Sequence, residues 1–390
     1  MKKQLFVLTA LALLLPACGN KAPESEAFPE LKYSVEMVAK GDGVYTVTDA
    51  IGRKVDVKPG TYRRVVCIGA GALRLYSYIG DISALAGVED IDNINAGGRP
   101  MMFDNVARPY VLAGEEVFNE LPSCGKGGPQ AQTAEPEKIL ACNPDIVISE
   151  YEDADKEDAL QEQLGVPVIT LKYGNGVMNE KLYSTLYMLG SVFGKKERAE
   201  DLINYHYNSL KQVFDATKNV SQKKKAYICG LGNWGTTNQF MTSSNFETFQ
   251  IAHVDNVAKD LALSGIQAIK EEQFLSLAPS MDVMIFDAAA VKNIKGKEYD
   301  FSSCAAFKTG EVYLQMAYNA YYTNVETALA NTWFTAKSVY PDLFKTVDIE
   351  AKTNEITLKF NGAELYSRIK DLKMSYGGYQ KIANPTEFFR

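Results

Sequence analysis

The chain has 390 residues, 46% hydrophobic and 23% charged, with 48 acidic against 41 basic side chains and a formal net charge of −7. That length exceeds what one hydrophobic core usually serves, so two lobes are expected. An acidic chain without a basic run able to track phosphates argues against nucleic acid as a partner.

Lys2 and Lys3 precede an apolar run from Leu5 to Leu15, far short of the roughly 20 residues that cross a bilayer, which reads as a signal peptide over residues 1–18. Its end, "LPAC", resembles the lipobox of bacterial lipoproteins apart from Pro16, and the resemblance implies a lipid on Cys18 that anchors the chain in the cell envelope, on the periplasmic side or at the cell surface. The plain alternative is an unmodified cysteine beside an ordinary cleavage site. Residues 19–41 open with a Pro-, Glu- and Ser-rich stretch that lacks apolar groups to offset its ordering entropy, and are expected to form a disordered tether. Cys67, Cys124, Cys142, Cys229 and Cys304 are odd in number and without C-x-x-C spacing, so no disulfide framework is evident.

"YTVTDAIGRKVDVK", from residue 45, alternates like a hairpin that turns at Ile51, Gly52 and Arg53. "RRVVCIGAGALRLYSYIG" then runs from an apolar strand through Gly69 and Gly71 into a helix, and "KKAYICGLGNWG" repeats the strand and its two glycines at Gly230 and Gly232. A second repeat accompanies the first. In "PEKILACNPDIVISE" and "EEQFLSLAPSMDVMIFD", Glu137 and Glu272 each precede a Leu by three residues and a Pro by seven, ahead of an apolar strand. Between the halves, "KKERAEDLINYHYNSLKQVFDATK" keeps helical spacing of its apolar groups over about six turns with no Gly or Pro.

These elements predict an α/β protein of two lobes, each a mainly parallel sheet flanked by helices, over residues 42–194 and 219–390, joined by a single long helix over 195–218. The ligand cleft lies between the lobes, at the C-terminal edges of the strands. One stiff connecting helix predicts limited closure.

Cleft candidates in the first lobe are Gly71 in the turn, Arg74 on the helix after it, Arg99, Arg108 and Tyr110 in the next irregular stretch, Lys126 in "CGKGGP", and Tyr151 past the strand. In the second lobe they are Trp234, Phe240 and Ser244, then Tyr318, Asn319, Tyr321 and Tyr322 in "AYNAYYTN". Aromatic walls with a few cations and donors suit a large, flat or globular ligand. Ser244 with Glu247 also fits a capping box, and Arg74 fits an ordinary ion pair. With only His206 and His253 in the chain, a bare-metal site has too few imidazoles, and His206 falls on the apolar stripe of the long helix. Neither a G-x-S-x-G elbow nor an H-E-x-x-H pair is present, which disfavours an envelope enzyme.

With these strings in view the chain resembles the helical-backbone class of ABC-importer binding proteins, those that deliver ferric siderophores, haem or cobalamin. The resemblance covers about residues 45 to 350 and rests on "VTDAIGRKVDV", "PEKILACNPDIVIS", the linking helix and "EEQFLSLAP"; "GAGALRLYSYIG", "RPYVLA" and "ALANTWFTAKSVYPDLF" look like its iron-complex branch. It implies a monomer with no cofactor of its own, carrying an iron chelate, haem or corrinoid to a permease dimer with its ATPase. It also implies one docking glutamate per lobe, here Glu137 and Glu272, each pairing with permease arginines. The structural alternative is that each Glu only favours a helix N-terminus. A surface scavenger without a permease is the other functional alternative.

Overall fold

The computed structural model describes residues 27–390 except 98, 100–107, 130, 175, 233–236 and 298–300. Cys18 and Trp234 therefore lie outside the described residues.

The alternating segment is a three-stranded antiparallel sheet of β1 (Met37–Gly41), β2 (Val44–Thr48) and β3 (Lys54–Val57). Each repeat of strand and glycine turn then opens a five-stranded sheet. The first contains β4 (Val65–Ile68), β5 (Leu85–Glu89), β6 (Ser123–Gly125), β7 (Ile146–Ser149) and β8 (Val168–Thr170), in the order β6-β5-β4-β7-β8 and parallel throughout. Every residue of β4, β5, β7 and β8 is buried, as a parallel sheet covered on both faces requires. Its helices are α1 (Ala72–Ile79), α2 (Pro109–Phe118), α3 (Pro136–Ala141), α4 (Ala154–Leu164) and α5 (Glu180–Val192).

Next comes α6 (Lys196–Thr217), 22 residues and roughly 33 Å long. Its buried stripe includes Ala199, Leu202, Ile203, His206, Leu210, Val213 and Phe214. His206 is a core residue: Nδ1 meets the Tyr183 hydroxyl at 2.9 Å, and burial pulls its pKa down to about 3, so the ring is neutral.

The second lobe's strands are β9 (Lys225–Cys229), β10 (Met241–Ser243), β11 (Asp255–Asn256), β12 (Ile266–Ala268), β13 (Val283–Asp287), β14 (Val312–Gln315) and β15 (Gln380–Lys381). Its main sheet runs β11-β9-β13-β14-β15 with only β15 antiparallel, and β10 pairs with β12 apart from it. Its helices include α7 (Glu247–Ile251), α8 (Glu271–Leu277), α9 (Ala288–Ile294), α10 (Ala305–Thr309), α11 (Val325–Val339) and α12 (Ile349–Asn361). The long helix packs on α5 of one lobe and α11 of the other.

Side chains reinforce this single crossing. Arg198, in the first turn of α6, donates to the carbonyls of Tyr78 (3.0 Å) and Lys359 (2.5 Å), one from each lobe. Arg368 reaches from the second lobe to the Leu112 carbonyl and to Glu115. Motion of one lobe on the other must break these ties.

The tether expected over 19–41 does not extend through its second half. Phe28 packs on the rings of Tyr207 and Phe214, each at 5.1 Å, Tyr33 packs on Tyr187, and the Ser34 amide donates to Ser184 Oγ. Residues 27–36 thus strap α5 and α6 before β1 joins the small sheet. Phe28, Leu31, Tyr33 and Val35 supply the apolar area that the polar start of the segment lacks.

Candidate functional site

β4 ends in Gly69 (φ 85°) and Gly71 (φ 97°), which turn the chain into α1. Gly71 is required there twice over. Its backbone is left-handed, and a Cβ would sit 2.4 Å from the Tyr173 hydroxyl oxygen. The strands on either side of β4 place a carboxyl beside this turn. Glu89, last in β5, accepts from the Gly69 amide at 3.1 Å. Glu150 follows β7, and its Cβ lies 3.1 Å from where a Gly69 side chain would begin.

The opposite wall is the loop after β14. Tyr321 (φ 51°) and Tyr322 (φ 72°) are consecutive left-handed residues, a conformation that costs on the order of 1–3 kcal/mol per residue and persists only where the surroundings impose it. Asn324 does so from one side, donating its amide (2.8 Å) and Nδ2 (2.9 Å) to the Tyr318 carbonyl. The first lobe does so from the other. Tyr321 donates to Glu89 Oε2 at 2.7 Å, and Tyr322 packs edge-on against Tyr173 at 4.8 Å.

Arg74 occupies the seam and is wholly buried. It donates through Nε to Asn324 Oδ1 (2.9 Å), through Nη1 to the Tyr173 hydroxyl (2.7 Å) and through Nη2 to the Ala320 carbonyl (2.9 Å), with its guanidinium 4.8 Å from the Tyr110 ring centre. Tyr173 passes a hydrogen bond on to the Thr323 carbonyl at 3.2 Å. Burial pushes the Glu89 pKa up to about 8; the Tyr321 hydrogen bond opposes this and the charge of Asp92 adds to it. Glu150 is raised well above the carboxylate range, by burial first and Glu152 second, and its Oε1 has no hydrogen-bond partner among the described residues.

The cleft candidates therefore divide. Gly71, Arg74, Tyr321 and Tyr322 meet at the seam, with the half-buried Asn319 bridging to Thr323 at the neck of the tyrosine loop. Arg108 and Tyr110 lie one layer deeper: both bond Asp92 Oδ1, at 2.6 and 2.7 Å, and both are buried. Tyr110 belongs to α2 rather than to an irregular stretch, and Arg108 is fixed by its ion pair, so neither is an open ligand contact. Tyr318 is likewise a core ring.

Tyr151 lines a cavity of about 520 Å³ between the end of β7, α4 and the start of α3, within the first lobe alone. Lys126 is exposed, and its backbone amide donates to Glu135. Arg99 donates Nε to the Ile91 carbonyl. Phe240 packs on Phe274 in the second lobe's core. Ser244 forms no capping box. Its hydroxyl donates to the Ala258 carbonyl and accepts from the Leu263 amide, while Glu247 turns away to accept from the amides of Val177 and Met178 in the first lobe.

Glu89, Glu150, Tyr173 and Asn324 complete the site and were absent from the sequence reading. The available signal was an acid closing an apolar strand run, in "ALAGVE" and "DIVISE", since in parallel sheets the residue after the strand faces the ligand edge.

The two repeated glutamates occupy the same place in their helices as well as in the sequence repeat. Glu137, in the first turn of α3, and Glu272, in the first turn of α8, are both exposed, and neither bonds to another described residue.

A family model described as periplasmic binding protein matches residues 103–315. The chain is 20% identical over 351 residues to the uncharacterized ABC transporter substrate-binding lipoprotein YvrC of Bacillus subtilis, a match spanning 88% of this chain and 100% of that one. It is 23% identical over 256 residues to the molybdate-binding protein MolA of Haemophilus influenzae, covering 57% of this chain and 69% of that one. A solved periplasmic solute binding protein from Veillonella parvula superposes with a TM-score of 0.61 at 20% identity, covering 91% of this chain and 100% of that one. At such identity the structural likeness is one of fold.

Proposed function

The chain belongs to the periplasmic binding protein family and is the non-enzymatic substrate-binding component of an ABC importer, and on that premise we propose that its cargo is an iron complex, a ferric siderophore or haem, held between the lobes. The observation that carries this reading is the composition of the seam. Its walls carry tyrosines on both sides, Tyr173 facing Tyr322 with Tyr321 next in the loop and bonded to Glu89, while Arg74 and Arg108 are already committed to protein partners. A bulky complex of low net charge, with an aromatic or amide periphery, gains contact area there. A ferric siderophore fits this better than haem, whose propionates need free cations.

Capture would require the tyrosine loop to exchange its contacts with Glu89 and Arg74 for contacts with the ligand. The ties through Arg198 and Arg368 keep the accompanying lobe motion small. Delivery would follow when Glu137 and Glu272 engage arginines on the two halves of the permease. Such exposed pairs contribute about 0–1 kcal/mol each, so their role is orientation and encounter. We place the lipid on Cys18, holding the protein near the membrane; the mass of the processed N-terminal peptide tests it.

A corrinoid is the alternative cargo of the same shape class. A small oxyanion is favoured by one feature, the start of α1 at Gly71 without a side-chain cap, and opposed by the Tyr173 hydroxyl and ring that cover that glycine.

The absorption spectrum of protein purified from its own host, with a thermal-shift panel of ferric siderophores, haemin, cobalamin and molybdate, separates these cargoes. A ligand at 100 times its Kd stabilises the fold by about 2.7 kcal/mol. Stabilisation by molybdate alone would overturn the iron-complex reading. Loss of uptake in the Glu137→Ala, Glu272→Ala double variant, with ligand affinity kept, is the expected mark of an importer. Uptake unchanged in that variant would overturn the docking role of the two glutamates.

A further inference from the structure

Among the described residues only seven large apolar side chains are exposed, and two of them, Leu140 (44%) and Leu275 (45%), stand at the same place in the repeat. Each lies three residues after a docking glutamate, on the same helix face, Glu137 with Leu140 on α3 and Glu272 with Leu275 on α8. The helices are held in matching register. Ile139 and Phe274, each one residue before its leucine, are the buried anchors, 0% and 3% exposed. A single exposed leucine on a protein surface needs no explanation. Two at equivalent positions, each one turn from an unpaired carboxylate, do.

We propose that Leu140 and Leu275 are the apolar halves of a two-point docking surface, each seated in an apolar pocket beside a lysine or arginine on one half of the permease dimer. The inference rests on the importer reading above and deepens it. The choice of partner follows from charge and symmetry. Glu137 stands beside one leucine, with the neighbouring Lys138 paired to Glu135, and Glu271 and Glu272 stand beside the other, next to Lys270; carboxylates outnumber lysines at both places, so the complementary surface is basic around an apolar centre. That surface must occur twice, in two related copies, as a two-fold permease supplies.

The two kinds of contact divide the work. Exposed ion pairs orient the partners and are screened by salt, whereas burying a leucine side chain contributes affinity that salt does not remove. Retention of the docked state would then depend on the leucines.

The test uses the full-length protein and the permease–ATPase complex of the same host in nanodiscs, with binding titrated at low and high salt. Leu140→Ser and Leu275→Ser are each expected to weaken binding by roughly tenfold or more at both salt concentrations, and the double variant further. Glu137→Ala with Glu272→Ala is expected to weaken it mainly at low salt. Leu358→Ser, at a leucine 50% exposed on α12, is the control expected to bind as wild type. If the double leucine variant binds normally while the glutamate variant does not, the apolar contact is refuted and the importer reading stands. If neither pair matters, both fail. An equal loss in Leu358→Ser also overturns the assignment.

Discussion

The hydroxyl of Tyr321 in the second lobe donates to Glu89 Oε2 in the first at 2.7 Å, and the other oxygen of the same carboxyl accepts from the Gly69 amide at 3.1 Å. One buried carboxyl thus joins the tyrosine loop to the glycine turn, and its proton is sensitive to how well the seam is closed.

That carboxyl makes stability depend on pH. The fold favours the protonated form of Glu89, because burial raises its pKa to about 8. The contribution is complete below the unfolded value of about 4.3 and is lost as pH rises to about 8, at about 1.4 kcal/mol for each tenfold of proton affinity. Asp287 and Glu157, both raised by burial to about 7, push in the same direction, so the informative quantity is a difference. The Tm of wild type minus that of Glu89→Gln is expected to fall between pH 5 and 8 and to level off above it.

Gly71 has no tolerated substitute. In Gly71→Ala the new methyl meets a tyrosine oxygen that is pinned by Arg74 and Thr323, in a backbone conformation that L-residues avoid. A loss of about 2 kcal/mol or more is expected, read from the urea midpoint.

Arg74→Lys is not conservative. One ammonium cannot serve Asn324, Tyr173 and the Ala320 carbonyl in the fixed directions of a guanidinium. The expected result is faster amide exchange in residues 318–324 by about tenfold, larger in Arg74→Ala, with smaller changes in β9 and β13. Equal acceleration throughout the chain would show that Arg74 supports the whole fold rather than the seam.

Glu247 fastens the back of the cleft. Its carboxylate accepts from Val177 (2.5 Å) and Met178 (3.2 Å), two first-lobe amides. Glu247→Ala strands both donors and is expected to cost about 1–3 kcal/mol. Glu247→Gln keeps one acceptor oxygen and is expected to cost less, by the same denaturant measurement.

Much of the scaffold was legible because its signals are local. "VVCI" and "AYIC" read as buried strands from their unbroken apolar runs, α6 from a stripe that recurs every three or four residues, and the two turns from glycines where only glycine is comfortable. The strap over residues 27–36 was misread for a related reason. Leu31, Tyr33 and Val35 alternate with Lys32, Ser34 and Glu36 as in a half-buried strand, but only the groove between α5 and α6 gives them something to cover.

The seam is of another kind. The order of residues alone says that a cationic side chain follows the first glycine turn and that tyrosines cluster some 250 residues later. Folding is what commits Arg74 Nε and Nη2 to the tyrosine loop and Nη1 to Tyr173, draws Arg108 and Tyr110 back to Asp92, and brings Glu89 and Glu150 beside the turn. A hydrogen bond between distant residues leaves no periodicity in the chain, since it depends on two surfaces that come from far apart in the sequence.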